Sequence, residues 1–223
     1  MARRSIVLAC ALGVGAVVLA WDGGHTRMQR AKHYGRGRAH GRPIWVVVHT
    51  AEIAELPDSA EKLAAYAANP SDGRVVSWHY AVDADSTVQS VAETDTAYAS
   101  GPGNSRSVQI ELAGRASQGA KGWSDDYSRR VVARAGALAG EVCRRWEIPI
   151  RRIDSVGVLA FQAGICGHSD ISAASQYARD HGMRGAPWWD AKAGRYRITT
   201  HTDPGIDFPW GDFLSAAKGT NSV

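Results

Sequence analysis

Cysteine is scarce in this sequence, at three in 223 residues, which excludes a small disulfide-stapled scaffold. Long apolar runs are scarcer still. Only residues 6–21 could enter a bilayer, so a multi-span membrane protein is excluded as well. No internal repeat and no second domain are visible. What is present is a chain 44% hydrophobic and 22% charged with 24 glycines. That composition rules out a disordered chain, a collagen and a coiled coil, and the length suits one compact domain with tails.

The net charge of +4 hides an asymmetry. Residues 1–42 hold eight Lys/Arg against the single acid Asp22, whereas residues 43–223 carry 18 Lys/Arg against 21 acids. The basic character therefore belongs to the N-terminal segment and says nothing about the globular part. Arg3 and Arg4 precede the apolar run 6–21, the layout of a secretory signal with cleavage after Ala20, or of a signal-anchor that stays attached. Export to the cell envelope or secretion is the expectation, with transient membrane contact through residues 5–21. Residues 22–42 are rich in Gly and Arg and lack apolar periodicity, so they predict a flexible basic spacer. His25, His33 and His40 lie there without nearby acids and make a poor metal site.

In the globular part, residues 44–48 (IWVVV) form an uninterrupted β-branched run that predicts a strand buried on both faces. Residues 59–68 predict a helix stopped near Asn69-Pro70. Residues 75–82 and 87–91 flank DADS and predict a hairpin, and 107–112 (SVQIEL) a further strand. Asp125-Asp126 open a long amphipathic helix reaching about residue 146, with Val131, Val132, Ala135, Leu138, Ala139 and Val142 at helical spacing. Residues 163–167 read as short and extended, 172–181 as a helix, 182–199 as irregular, and 212–218 as a closing helix. The expected fold is α/β, a mixed central β-sheet flanked by helices, in one domain over residues 43–218 with a short tail at 219–223.

Three polar residues lie just beyond apolar or strand-like segments: His49 in VVVHT, His168 in GICGHSDIS and Asp203 in HTDPGIDFPW. A polar group at a strand end can face a cleft without being buried and unpaired. Two His and one carboxylate make a zinc-hydrolase ligand set, but gaps of 119 and 35 residues leave spacing alone a weak signal. The surrounding words add to it. The ordered set VVVHT, SWHYAVD, SRSVQIELAG, GHSDIS and HTDPGIDFPW resembles the zinc-dependent N-acetylmuramoyl-L-alanine amidases, the family of phage lysins, bacterial recycling amidases and peptidoglycan recognition proteins. The resemblance spans residues 43–214.

Matched residue by residue, the resemblance implies a Zn2+ site at His49, His168 and Asp203, with peptidoglycan as the substrate. It implies Glu111 as general base, against an exposed strand Glu with a basic partner. It implies His201 at a position where many relatives carry Lys to stabilise an oxyanion, so the same role in this chain depends on pH. Trp78 stands where some phage relatives have a catalytic Tyr; it cannot donate a proton in that way and is expected to pack or to contact sugar. His79 follows it and reads as structural. The long segment 171–200 holds Trp188, Trp189 and Tyr196, either a sugar-stacking lip or a local satellite core. Cys143 and Cys166 either bridge or stay as free buried thiols.

The resulting expectation is a monomeric enzyme that hydrolyses the amide between N-acetylmuramic acid and L-alanine, a cell-wall-lysing endolysin. The alternatives are a non-catalytic peptidoglycan-binding module, a zinc peptidase cutting peptidoglycan cross-links, and an envelope- or nucleic-acid-binding protein working through the basic tail; no nucleic acid partner is expected.

Overall fold

The structure is a computed structural model and describes residues 26–219. The apolar run 6–21 lies outside the described residues. Among them no helix is long and apolar enough to cross a membrane.

Along the described residues, eight strands and six α-helices follow one another. They are β1 (Thr26–Met28), β2 (Trp45–Thr50), α1 (Ser59–Ala68), β3 (Tyr80–Val82), β4 (Thr87–Gln89), β5 (Ser107–Leu112), α2 (Gly119–Trp123), α3 (Asp126–Trp146), α4 (Ser155–Leu159), β6 (Gly164–Gly167), α5 (His168–Asp180), β7 (Trp189–Asp190), β8 (Arg195–Tyr196) and α6 (Trp210–Lys218). Six strands form one mixed sheet in the order β1-β4-β3-β5-β2-β6, and β7 and β8 form a small separate hairpin. Within the main sheet only the β3–β4 pair is antiparallel. The expected α/β architecture is therefore observed.

The two central strands, β2 and β5, are buried along their whole length, as parallel strands covered on both faces must be. Side chains alternate between the faces. Val46, Val48, Val108, Ile110 and Leu112 meet α3 and α6 on one side. Trp45, Val47 and Cys166 meet α4 and α5 on the other, and Ala81, Val88 and Trp78 meet α1 there as well. α3 begins where the Asp125 carboxylate accepts the Ser128 N–H at 2.8 Å, and its long apolar stripe crosses the sheet. α3 and α6 approach so closely that a methyl group at Gly136 or Gly140 would strike the backbone carbonyls of Phe213 and Ala217. The N-terminus of α1 is satisfied from the β3–β4 turn: Asp83 accepts from Ala60 N–H at 2.9 Å and from the Ser86 N–H at 2.7 Å.

Several expectations need correction. Residues 26–42 are not a free spacer. β1 pairs in parallel with β4 at the sheet edge, Ala31 is buried, and Arg38 enters the domain to donate to the carbonyls of Glu93 (2.7 Å) and Ser107 (2.9 Å). The first arm of the hairpin is shorter than expected, because Val75 is exposed and ladder pairing starts at Tyr80. The helix expected to start at residue 172 starts at His168, so the long segment 171–200 is helical for its first third. Trp188 belongs to the satellite core beneath that segment, while Trp189 and Tyr196 meet edge to face across the β7–β8 hairpin. Cys143 and Cys166 are free and buried on opposite faces of the sheet.

Candidate active site

The site lies at the carboxyl ends of the parallel strands, where open α/β sheets form their crevices. His49 continues the alternation of Trp45 and Val47 on β2 and so emerges on the α5 side. Glu111 stands beside it in register on β5. His168 is the first residue of α5, directly after β6. Gly167 precedes it, and a Cβ there would lie 2.7 Å from Pro204 Cδ. The absent side chain thus lets the 203–205 turn reach the start of α5, where the Asp203 carbonyl accepts the Ser169 N–H at 2.9 Å.

These elements converge their side chains. His49 Nδ1 is 3.0 Å from Asp203 Oδ2, and His168 Nδ1 is 3.3 Å from Asp203 Oδ1. One ligand atom from each of His49, His168 and Asp203 falls within 4.8 Å of the others, and all three residues are buried. His168 Nδ1 is buried and faces Asp203 Oδ1 without a well-aligned hydrogen bond, so an imidazole nitrogen and a carboxylate oxygen are turned toward one point. Two inward imidazoles and one carboxylate, all buried, fit a divalent transition metal such as zinc. His201 stacks on His168 with ring centroids 4.2 Å apart, and its Nδ1 lies 3.5 Å from Asp203 Oδ1. Its side chain is 64% exposed and so faces the cleft.

The electrostatics separate the roles of these groups. Burial pushes Glu111 up to about 7, with Asp203 and Glu52 adding to the effect against His49 and His201. Burial works against charge on His49, but the hydrogen bond to Asp203, its charge and that of Glu111 outweigh it and raise the pKa to about 9. Burial lowers His168 to about 4 against the opposing contact with Asp203, and the charges of His49 and His201 reinforce the shift. Burial also opposes ionisation of Asp203, yet its contacts with His168, His201 and His49 hold it well below the carboxylate range. The hydrogen bond to Asp203 raises His201. The metal-free site is thus an ionised Asp203 among histidines, beside a carboxyl poised near neutrality.

Around this centre the cleft has two lobes. One, of about 600 Å³, runs from His49, His168 and Asp203 along α1 and is bordered by Glu111, Leu63, Tyr66 and Trp78. The other, of about 1010 Å³, opens beyond His201 toward Arg152, Gln176, Ile206 and Trp210. Glu52, at a positive φ of 56°, borders both, and so do His201 and Asp203. Trp78 packs against α1, and only 4% of it is exposed, in the wall of the α1 lobe. His79 is buried away from it, between Arg38 and the Gln109 N–H.

Two residues at the site go beyond those the sequence points to. Gln109 Oε1 lies 2.8 Å from His49 Nε2, and Thr199 Oγ1 lies 2.9 Å from His168 Nε2. Gln109 is detectable in principle: it is polar, in a buried strand, and two residues from Glu111 on the same face. Nothing in the loop sequence points to Thr199.

The model of one protein family, described as N-acetylmuramoyl-L-alanine amidase, matches residues 39–183. The chain belongs to this amidase family. It is an N-acetylmuramoyl-L-alanine amidase, a hydrolase of linear amides whose substrate is peptidoglycan. Among solved structures the amidase is similar to the Staphylococcus aureus hydrolase AmiA in complex with its ligand (13% identity, 91% of this chain and 89% of that chain covered, TM-score 0.57). It is also similar to a selenomethionine derivative of AmpD (18%, 88% and 96%, 0.56) and to PlyL (16%, 89% and 99%, 0.52). At these identities the likeness speaks to fold. No sequence among curated proteins matches the chain.

Proposed function

We propose that the amidase is zinc-dependent, with His49, His168 and Asp203 as ligands, Glu111 as general base and His201 as oxyanion donor, and that it acts as an exported cell-wall lysin. The observation that carries the metal reading is the meeting of those three buried side chains, with Nδ1 of both imidazoles turned to the Asp203 carboxylate at 3.0 and 3.3 Å. A zinc ion held there supplies a Lewis acid that activates water and polarises the scissile carbonyl.

The chain's own residues do the rest. The bond cut is the amide between the lactyl group of N-acetylmuramic acid and L-alanine, a poor electrophile. Glu111, buried and balanced near neutral pH, takes a proton from the attacking water and hands it to the leaving alanine nitrogen. His201, whose protonated form Asp203 favours and which is open to the cleft, donates a hydrogen bond to the carbonyl oxygen as negative charge grows on it. The two lobes on either side of His201 and Asp203 give the substrate room on both sides of the bond. Trp78 lies in the wall of the α1 lobe, where its small exposed part can contact a sugar. Export rests on Arg3, Arg4 and the apolar run 6–21.

Mass spectrometry of digested peptidoglycan tests the chemistry. The expected products are stems with a new free alanine amine and glycans with an intact lactyl group, lost with a chelator and restored by zinc. A different new amine points to a peptidase, and no product to a binding module. Fusing residues 1–21 to a reporter tests export; a reporter retained inside the cell removes that part of the reading.

A further inference from the structure

Both metal-site histidines are oriented the same way, with Nδ1 toward Asp203 and Nε2 toward an oxygen of a neighbouring side chain. For His49 that neighbour cannot be turned round. The Gln109 amide nitrogen lies 2.8 Å from both Ser100 Oγ and Ser107 Oγ. Ser107 spends its own proton on the Gly103 carbonyl at 2.8 Å, so toward Gln109 it can only accept. Asn104 Oδ1, a further acceptor at 3.4 Å, is itself held by the N–H groups of Ala99 and Ser100. The amide NH₂ must therefore face this cradle, and Oε1 must face His49. An oxygen at that place requires a proton on His49 Nε2.

For His168 the neighbour arrives on the long segment that follows α5. Thr199 is pinned there by its N–H to Ser175 Oγ at 3.2 Å and by its carbonyl, which accepts from Gln176 Nε2 at 3.4 Å. Its hydroxyl sits against Nε2, while Nδ1 faces Asp203 Oδ1 at 3.3 Å without a well-aligned hydrogen bond.

We propose that Gln109 and Thr199 are positioning residues that hold His49 and His168 as Nε2–H donors, so that both present Nδ1 to the metal. The assignment rests on the zinc reading above and deepens it. It also gives the long segment 182–200 a role, because that segment delivers Thr199 to a metal ligand. Partners of this kind are worth about 10- to 100-fold in metal affinity.

Zinc dissociation constants from chelator competition test the assignment, measured for the wild type, Thr199→Val, Thr199→Ser and Gln109→Leu. Thr199→Val keeps the shape of a half-buried side chain and removes only the hydroxyl. It should weaken zinc about 10- to 100-fold, and Thr199→Ser should restore binding. Gln109→Leu removes the oxygen that faces His49 and should weaken zinc as well. Imidazole ¹⁵N spectra of the zinc-loaded protein should show Nδ1 coordinated and Nε2 protonated on both rings. Unchanged zinc affinity in Thr199→Val, a loss that Ser does not restore, or coordination through Nε2 overturns the inference. A wild type that binds no zinc overturns the metal reading alone. The ¹⁵N spectrum of the metal-free protein then decides the inference: His168 as the Nε2–H tautomer upholds it, and the Nδ1–H tautomer defeats it.

Discussion

Replacing Glu111 with Gln should move three quantities in different directions. The side chain is 8% exposed and stands beside His49 across the β2–β5 pair. Gln keeps the shape and removes the proton acceptor. Turnover should fall by about 10²- to 10⁴-fold, the usual contribution of a general base, or about 3–5 kcal/mol in barrier height. Zinc should stay bound, because Glu111 is not among the three converging ligands. The metal-free protein should become more stable at alkaline pH. Burial raises the folded pKa from 4.5 to about 7, so the folded state prefers the protonated acid. The group's favourable contribution is complete below pH 4.5 and is lost as pH rises through 7. Above that, the wild type carries an ionised buried carboxylate and the variant does not, a gap on the order of 3 kcal/mol. Urea unfolding of both metal-free proteins at about pH 4, 6 and 8 reads the gap, and kinetics with zinc analysis reads the rest. Turnover within about threefold of wild type would remove Glu111 from the chemistry. Loss of zinc would make it a ligand, and a pH-independent stability difference would refute the burial argument.

His201→Lys should keep activity and extend it to higher pH. The wild-type rate falls as pH rises through the His201 pKa, which Asp203 holds above its ordinary value, whereas a lysine stays charged to about pH 10. An alkaline limb that does not move would exclude His201 as the donor. Arg38→Ala should destabilise the protein by about 2–4 kcal/mol in urea, because it strands two carbonyls in the interior; a loss below about 0.5 kcal/mol would mean that the N-terminal arm only rests on the domain.

Much of this molecule can be read from its sequence where chemistry and periodicity agree. The helix over Ser59–Ala68 and the strand over Ser107–Leu112 appear with the expected bounds, because their patterns match the faces they bury. The His49, His168 and Asp203 set is visible through its flanking words, since a motif keeps residues that topology brings together. The arm at 26–42 escapes such reading for a physical reason. β1 is held through backbone bonds that composition does not report, and Arg38 looks like a solvated charge until the two carbonyls that receive it are in place. The start of α5 is hidden because Gly167 and Ser169 look like loop residues, yet the turn at Asp203 supplies the partner for that helix end. Thr199 is invisible in the sequence because its role comes from where a long connection returns, not from its neighbours along the chain.

X-ray absorption at the zinc edge tests the central claim most directly. A zinc-loaded wild-type protein should hold one ion per chain, with two imidazole nitrogens and a carboxylate oxygen at about 2.0–2.2 Å, and His168→Ala should lose both the ion and the hydrolysis of peptidoglycan. A sulfur shell near about 2.3 Å, a single imidazole in the fit, or full activity in a protein free of metal would contradict the account.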